Sequence, residues 1–96
     1  MASFTISIEL NDSSLVTYRQ LRTLMSNQGF KHYVSEKSGV HYRLPRDEYA
    51  YSGYETRYGL LERVCKTLEE MDPVPGVMVT EALARTWRNL KEIDLS

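Results

Sequence analysis

The chain has 96 residues, 42% of them hydrophobic and 26% charged, and its formal net charge is -1. This size fits one domain spanning residues 1–96, and this composition excludes an intrinsically disordered chain. The near balance of charges excludes a strong overall attraction for nucleic acid, so such an affinity would need a local basic patch. The lone Cys65 cannot form an internal disulfide, and we see no secretion signal and no apolar run of about 20 residues that could cross a membrane. We therefore expect a cytoplasmic domain that does not enter membranes.

The first predicted element is a strand, and a helix follows it. Residues 4–10 alternate between apolar and polar side chains, which is typical of a half-buried strand. Residues 11–14, Asn-Asp-Ser-Ser, provide the side chains of a turn and a helix N-cap. Residues 15–28 then have the spacing of an amphipathic helix. Its apolar face is centred on Tyr18, Leu21 and Met25.

A β-hairpin comes next in the sequence. Residues 30–36 and 40–44 flank Lys37-Ser38-Gly39, a three-residue loop with glycine in the last position. This loop sets Val34 opposite Tyr42, and the register separates an apolar face from an outer face. The outer face carries Lys31, Tyr33, Ser35, His41 and Arg43.

The second half of the chain predicts a strand at residues 48–52, a helix at 56–71, a strand around 77–79 and a terminal helix at 82–92. The apolar stripe of the 56–71 helix is Tyr58, Leu61, Cys65 and Leu68, flanked by Leu60 and Val64. The stripe of the terminal helix is Leu83, Trp87 and Leu90. The order of elements predicts an α+β fold, a ferredoxin-like split βαβ sandwich. It would have one four-stranded antiparallel sheet, two helices on one face and a C-terminal helical tail.

The outer face of the hairpin is the first candidate binding site, formed by Lys31, Tyr33, His41 and Arg43. Aromatic rings can stack on unpaired bases, and guanidinium and ammonium groups can contact phosphates, so this set is typical of single-stranded RNA binding. The alternative is that the face is merely solvated, or is covered by a second subunit or by the tail helix. The tyrosines of the open face of the sheet, together with Trp87 and Leu90 of the tail helix, predict a homodimer, because a small monomer cannot easily hide so much apolar surface.

Other chemistry has less support in the sequence. The two histidines and one cysteine are not in a ligand pattern, and neither a phosphate-binding loop nor a nucleophile motif is present, so we expect no metal and no cofactor. We do not expect catalysis by a pair of imidazoles, because the hairpin register places His32 and His41 on opposite faces. Arg22 lies at the edge of the first helix's apolar face, where it could form a surface ion pair or hold a phosphate. Periodicity alone favours the ion pair.

Several short segments, in matching spacing, resemble the GhoS antitoxins of type V toxin–antitoxin systems. They are Glu9 at the end of the first strand, the Ser13-Ser14 pair, the helical segment Leu21-Arg22-Thr23-Leu24-Met25, and Phe30. GhoS-like proteins have a ferredoxin-like fold related in shape to VapD. The family's namesake is an endoribonuclease that cleaves the messenger RNA of a membrane-damaging toxin. The resemblance implies a catalytic role for Arg22, which matches the arginine of the family's segment, whereas Glu9 departs from the family's usual aspartate.

Together these observations predict an RNA-binding protein, with toxin messenger RNA as the substrate if it is an endoribonuclease antitoxin. In this interpretation Arg22 is catalytic, and Lys31, Tyr33, His41 and Arg43 bind the substrate. Two alternatives stay open. One is a non-catalytic protein of phage or mobile-element origin that binds another protein through its sheet or tail helix. The other is a structural dimer without a substrate.

Overall fold

The computed structural model of the chain describes residues 1–12 and 14–95. Within these residues the chain forms six strands and two helices, which agrees with the predicted α+β class. In chain order they are β1 (Ala2–Glu9), α1 (Leu15–Asn27), β2 (Tyr33–Ser35), β3 (His41–Arg43), β4 (Glu48–Gly53), α2 (Arg57–Leu68), β5 (Gly76–Glu81) and β6 (Glu92–Ile93).

The first sheet has β1 at its centre, between β4 and β5, and all its strands are antiparallel. Ile6 lies opposite Tyr49 of β4 and Val79 of β5. Because side chains alternate along a strand, Phe4, Ile6 and Ile8 share one face, and all three are buried. This face forms the core together with buried side chains of both helices, so both helices cover the same side of the sheet.

Helix α1 begins where the sequence predicts it. The Ser14 hydroxyl accepts a hydrogen bond from the Thr17 backbone N–H, which caps the first turn. The predicted apolar face is confirmed, since Tyr18, Leu21 and Met25 are buried. Within the part of the chain that the structure describes, no helix is long and apolar enough to span a bilayer.

Helix α2 also occurs where it was predicted, but the predicted orientation of its stripe is wrong. The side chains that enter the core are Leu60, Val64 and Leu68, whereas Leu61 is half-buried and Tyr58 is exposed. Both sets have helical spacing, and the adjacent leucines at 60 and 61 leave the phase of the stripe ambiguous in the sequence. Packing into the core that α2 shares with the first sheet and α1 selects the first set.

The predicted single four-stranded sheet is wrong, because the hairpin of β2 and β3 belongs to a second sheet in the order β2-β3-β6. The only pairing described between the segment after α1 and the first sheet is one isolated bridge, Lys31 with Ala50 of β4. The chain then bends at His32, and β3 pairs with β6 on its other edge. Because β6 pairs with β3, these strands and β2 form a separate sheet. The hairpin therefore does not extend the first sheet.

The register of the hairpin itself is as predicted. Val34 lies opposite Tyr42, and Tyr33 lies opposite Arg43. Gly39 has a φ of 93°, the left-handed conformation that a three-residue hairpin loop needs in its last position. Val34 and Leu44 are buried, so the apolar face of the hairpin is turned towards the rest of the protein.

The predicted tail helix is wrong as well, because residues 82–91 form an irregular segment that we call the C-terminal strap. Arg85 fixes the strap to β1 by donating hydrogen bonds to the Phe4 carbonyl at 2.7 Å and to the Thr5 hydroxyl at 3.0 Å. Thr5 points away from the helices, so the strap crosses the helix-free face of the first sheet. Further along the strap, Trp87 packs against Tyr42 of the hairpin, with ring centroids 5.7 Å apart.

Candidate nucleic-acid interface

The four residues predicted to bind the substrate lie together, and Tyr33 is at their centre. The ring of Tyr33 meets the ring of His41 nearly at right angles, with 5.2 Å between centroids. The Lys31 Nζ lies 5.6 Å from the centroid of the same ring. Arg43 lies directly across from Tyr33 on the neighbouring strand. The hairpin register thus brings two cations and an imidazole around one aromatic ring.

His32 belongs to the same cluster, which the sequence did not indicate. Its ring meets Tyr33 edge-on, with 5.4 Å between centroids, so both imidazoles of the protein contact the same tyrosine. Their contact with one ring was not expected, because strict alternation puts residues 32 and 41 on opposite faces of a hairpin. His32 departs from that alternation because it occupies the bend between the Lys31 bridge and β2. A one-residue bend leaves no periodic signal in the sequence.

The charge of Arg22, on helix α1, acts on this cluster. Burial lowers the pKa of the His32 imidazole, and the positive charges of Arg22 and Arg43 lower that pKa further. The charges of two guanidinium groups, one from the helix layer and one from the hairpin, therefore act on one imidazole. Arg22 is partly exposed, and its charge also acts on the buried Tyr49, which places it at the predicted edge of the core.

The ion pair that periodicity favours for Arg22 is not formed. Within residues 1–12 and 14–95, the one ion pair joins Arg63 to Glu55, with 3.1 Å between Nη1 and Oε2. Lys31, Arg22 and Arg43 have no carboxylate partner among the described residues. We call the six side chains Arg22, Lys31, His32, Tyr33, His41 and Arg43 the cationic patch. Its cations remain available to an anion from outside the protein.

A groove of about 800 Å³ adjoins the patch, between the hairpin, the first sheet and the strap. Lys31 and Tyr33 of the patch line it, together with Lys37, Arg85 and Trp87. The groove therefore carries further cations and an aromatic ring beyond the patch, beside the carboxylate of Glu36. An extended polyanion with planar substituents would meet both kinds of group along its length.

The remaining candidate residues lie apart from the patch. Glu9 is an exposed residue at the end of β1, and Ser13, part of the resemblance, lies outside the described residues. In the described ranges, no three His, Cys, Asp or Glu side chains converge in a group that could hold a metal ion. Burial, aided by the charge of Glu62, raises the pKa of the Cys65 thiol, which disfavours its reactive thiolate form.

Comparison with protein-family models and with curated proteins gives no match to this chain. The resemblance to the GhoS antitoxins therefore stays a prediction from short segments. The geometry of the cationic patch is independent of that resemblance, and the functional proposal below depends on the geometry.

Proposed function

We propose that this protein binds single-stranded RNA through the cationic patch. The observation that carries the proposal is the position of Tyr33, with the Lys31 Nζ 5.6 Å from its ring centroid and Arg43 directly across from it on the neighbouring strand, without any described carboxylate to pair with these cations. Like charges held close together cost free energy unless an anion joins them. A phosphate accepts hydrogen bonds from guanidinium groups in a planar, two-pronged geometry, so it is an anion that suits this position.

The ring of Tyr33 favours a single strand over a duplex. It lies among the cations and is partly exposed, so a base could stack on it while phosphates meet the neighbouring charges. Bases become available for such stacking only where they are unpaired. The near-neutral net charge agrees with this interpretation, because affinity would come from a few local contacts and not from a general field.

RNA cleavage is the enzymatic form of the same proposal. The resemblance to the GhoS antitoxins implies that Arg22 is catalytic and that the substrate is the messenger RNA of a toxin. The position of Arg22 in the patch supports this role, since a guanidinium beside a bound phosphate can stabilise the charge that develops during cleavage.

The alternative function, binding to another protein, has an observation of its own. Val74, Met78 and Leu83 are large apolar side chains that are exposed in or beside β5, which is an edge strand of the first sheet. The homodimer predicted from Trp87 and Leu90 loses one of its supports, because Trp87 packs against Tyr42 within the chain. Light scattering at high protein concentration would test it.

Fluorescence anisotropy with a short, labelled, unstructured RNA tests the proposal. We expect the single strand to bind more tightly than the same sequence in a duplex, with a salt dependence of about -0.7 in log–log slope for each phosphate contacted. Tyr33→Ala should weaken binding by about 1–3 kcal/mol if a base stacks on the ring. Tyr58→Ala is the matched control, because Tyr58 is exposed on α2 and outside the patch.

Equal losses in the two tyrosine variants would contradict the proposed position of the RNA. A folded wild-type protein that binds no RNA at low salt would overturn the proposal, and binding to a protein would then be the better interpretation.

A further inference from the structure

We propose that His32 is the general base of a metal-independent RNA cleavage at the cationic patch, taking the proton of a ribose 2′-hydroxyl while Arg22 and Arg43 hold the adjacent phosphate. This inference rests on the proposed function, because it needs RNA bound at the patch. It adds a catalytic residue that neither the sequence nor the resemblance indicates. It also predicts a class of RNA cleavage whose products end in a 2′,3′-cyclic phosphate and a 5′-hydroxyl.

The placement of His32 is what such a reaction requires. Its ring contacts Tyr33, on which a base would stack, and Arg43 lies directly across from Tyr33 on the neighbouring strand. The positive charge of Arg22 also acts on the imidazole. A base, a ribose hydroxyl and a phosphate follow one another within a single nucleotide of RNA. An imidazole between the stacking surface and the phosphate site would therefore be close to the 2′-hydroxyl.

The environment of His32 favours the uncharged form that a general base needs. A general base must be uncharged, and burial together with two neighbouring positive charges favours the uncharged imidazole. Among the described residues, neither ring nitrogen of His32 forms a hydrogen bond, so one is free to accept a proton. In contrast, the Nδ1 of His41 forms a hydrogen bond with the Ser35 hydroxyl.

The cleavage step balances with RNA and water alone. The 2′-hydroxyl proton passes to the free ring nitrogen of His32, and the 2′ oxygen forms a bond to phosphorus. The bond from phosphorus to the 5′ oxygen breaks, its electron pair remains on that oxygen, and a solvent water protonates it. The resulting hydroxide then takes the proton from His32. The products are a 2′,3′-cyclic phosphate and a 5′-hydroxyl.

The same positive charges disfavour a mechanism that uses a divalent cation at this position. Arg22 and Arg43 would repel a second cation close to His32, whereas their guanidinium groups can stabilise the additional negative charge of the transition state themselves. Addition of EDTA should therefore leave cleavage unchanged.

The test is cleavage of an end-labelled, unstructured RNA under single-turnover conditions, with the protein in excess and EDTA present. We expect products that end in a 2′,3′-cyclic phosphate. His32→Ala and His32→Gln should lower the cleavage rate by about 100-fold or more, the usual contribution of a general base. Free imidazole added to His32→Ala should restore part of the rate, which a purely structural role would not explain.

Binding is measured in parallel with an RNA whose 2′-hydroxyls are methylated, so that it cannot react. This measurement gives the affinity of each His32 variant, so that the cleavage rates are compared with all the RNA bound, and circular dichroism shows that the variants are folded. His41→Ala is the matched variant, because it removes the other imidazole in contact with Tyr33. It should weaken binding but lower the rate of the bound complex far less than His32→Ala.

Several results would overturn the inference while leaving RNA binding intact. They are a wild-type protein that binds RNA without cleaving it, a requirement for a divalent cation, products with a 5′-phosphate, and a His32→Ala variant that cleaves at the wild-type rate. Failure to bind even the methylated RNA would instead overturn the proposed function itself.

Discussion

Two arginines in two regions of the protein show how differently the regions are built. In the region formed by the first sheet and the helices, the guanidinium of Arg63 makes three hydrogen bonds. It donates to the Tyr51 hydroxyl at 3.0 Å, to Glu55 at 3.1 Å and to the Gln28 carbonyl at 2.6 Å. In the second sheet, Arg43 has no such partner among the described residues.

The same contrast holds for apolar packing. The core of the first region contains fully buried side chains from β1, β4 and both helices. The second sheet has strands of two or three residues, and the outer side of its hairpin carries polar and charged groups. The first region therefore supplies stability, whereas the second presents groups that interact with something outside the chain. Each prediction below would sharpen or break this contrast.

The largest effect on stability is expected in the core of the first region. Leu21→Ala should lower the free energy of unfolding by about 2–5 kcal/mol, because Leu21 is completely buried and its truncation leaves a cavity. Leu83→Ala is the control, since Leu83 is fully exposed and its truncation should cost less than about 0.5 kcal/mol. Urea unfolding of both variants measures the difference. A loss below about 1 kcal/mol for Leu21→Ala would contradict the described core.

An intermediate effect is expected where the strap joins the two regions. Arg85→Ala should cost about 1.5–3 kcal/mol, because it removes hydrogen bonds from a charged group to the Phe4 carbonyl and the Thr5 hydroxyl. Arg88→Ala removes an exposed strap arginine that donates no hydrogen bond to a described residue, so its effect should be small. If thermal and urea unfolding show the same stability for both variants, the strap is not attached as described.

The smallest effect is a change in titration within the patch. Arg43→Ala should raise the pKa of His32 towards its ordinary value of about 6.5, because it removes one of the positive charges that disfavour the imidazolium. The rise should be partial, since burial is the largest cause of the lowered pKa and remains in the variant. NMR titration of the imidazole signals measures this pKa, with Arg57→Ala as a control outside the patch. An unchanged pKa in Arg43→Ala would show that the two groups are not close.

The sequence predicts the first region well because local patterns decide it. The faultless alternation of residues 4–10 specifies β1, and the spacing of Tyr18, Leu21 and Met25 specifies the buried face of α1. The hairpin register is likewise local, because a three-residue loop ending in Gly39 fixes which residues face each other.

The parts that could not be predicted depend on competition between distant segments. Helical spacing is present in Leu83, Trp87 and Leu90. However, Arg85 donates a hydrogen bond to β1 and Trp87 packs against the hairpin, so the irregular strap forms in place of a helix. The two residues of β6 are too few to show a period, although their pairing with β3 helps to divide the sheet in two. Tertiary packing therefore overrode the local helical preference of the strap, whereas β6 had no local signal to read.

In the candidate site, too, some features follow from local sequence patterns and others depend on contacts between distant segments. The outer face of the hairpin followed from its register, so Tyr33, His41 and Arg43 could be grouped from the sequence. The effect of the Arg22 charge on His32 could not be predicted, because it connects a helix with a bend through the packing of the whole domain. Only the resemblance to the GhoS antitoxins connected Arg22 with RNA in advance.

Binding of single-stranded RNA by Arg43→Ala, compared with Arg57→Ala, tests the central claim most directly. Both changes remove one exposed arginine and one positive charge, but only Arg43 belongs to the patch. We expect Arg43→Ala to weaken binding about tenfold, or about 1.4 kcal/mol, and to reduce the salt slope by about one phosphate contact. Arg57→Ala should bind like the wild type. Equal affinities and equal salt slopes for the two variants would contradict RNA binding at the cationic patch.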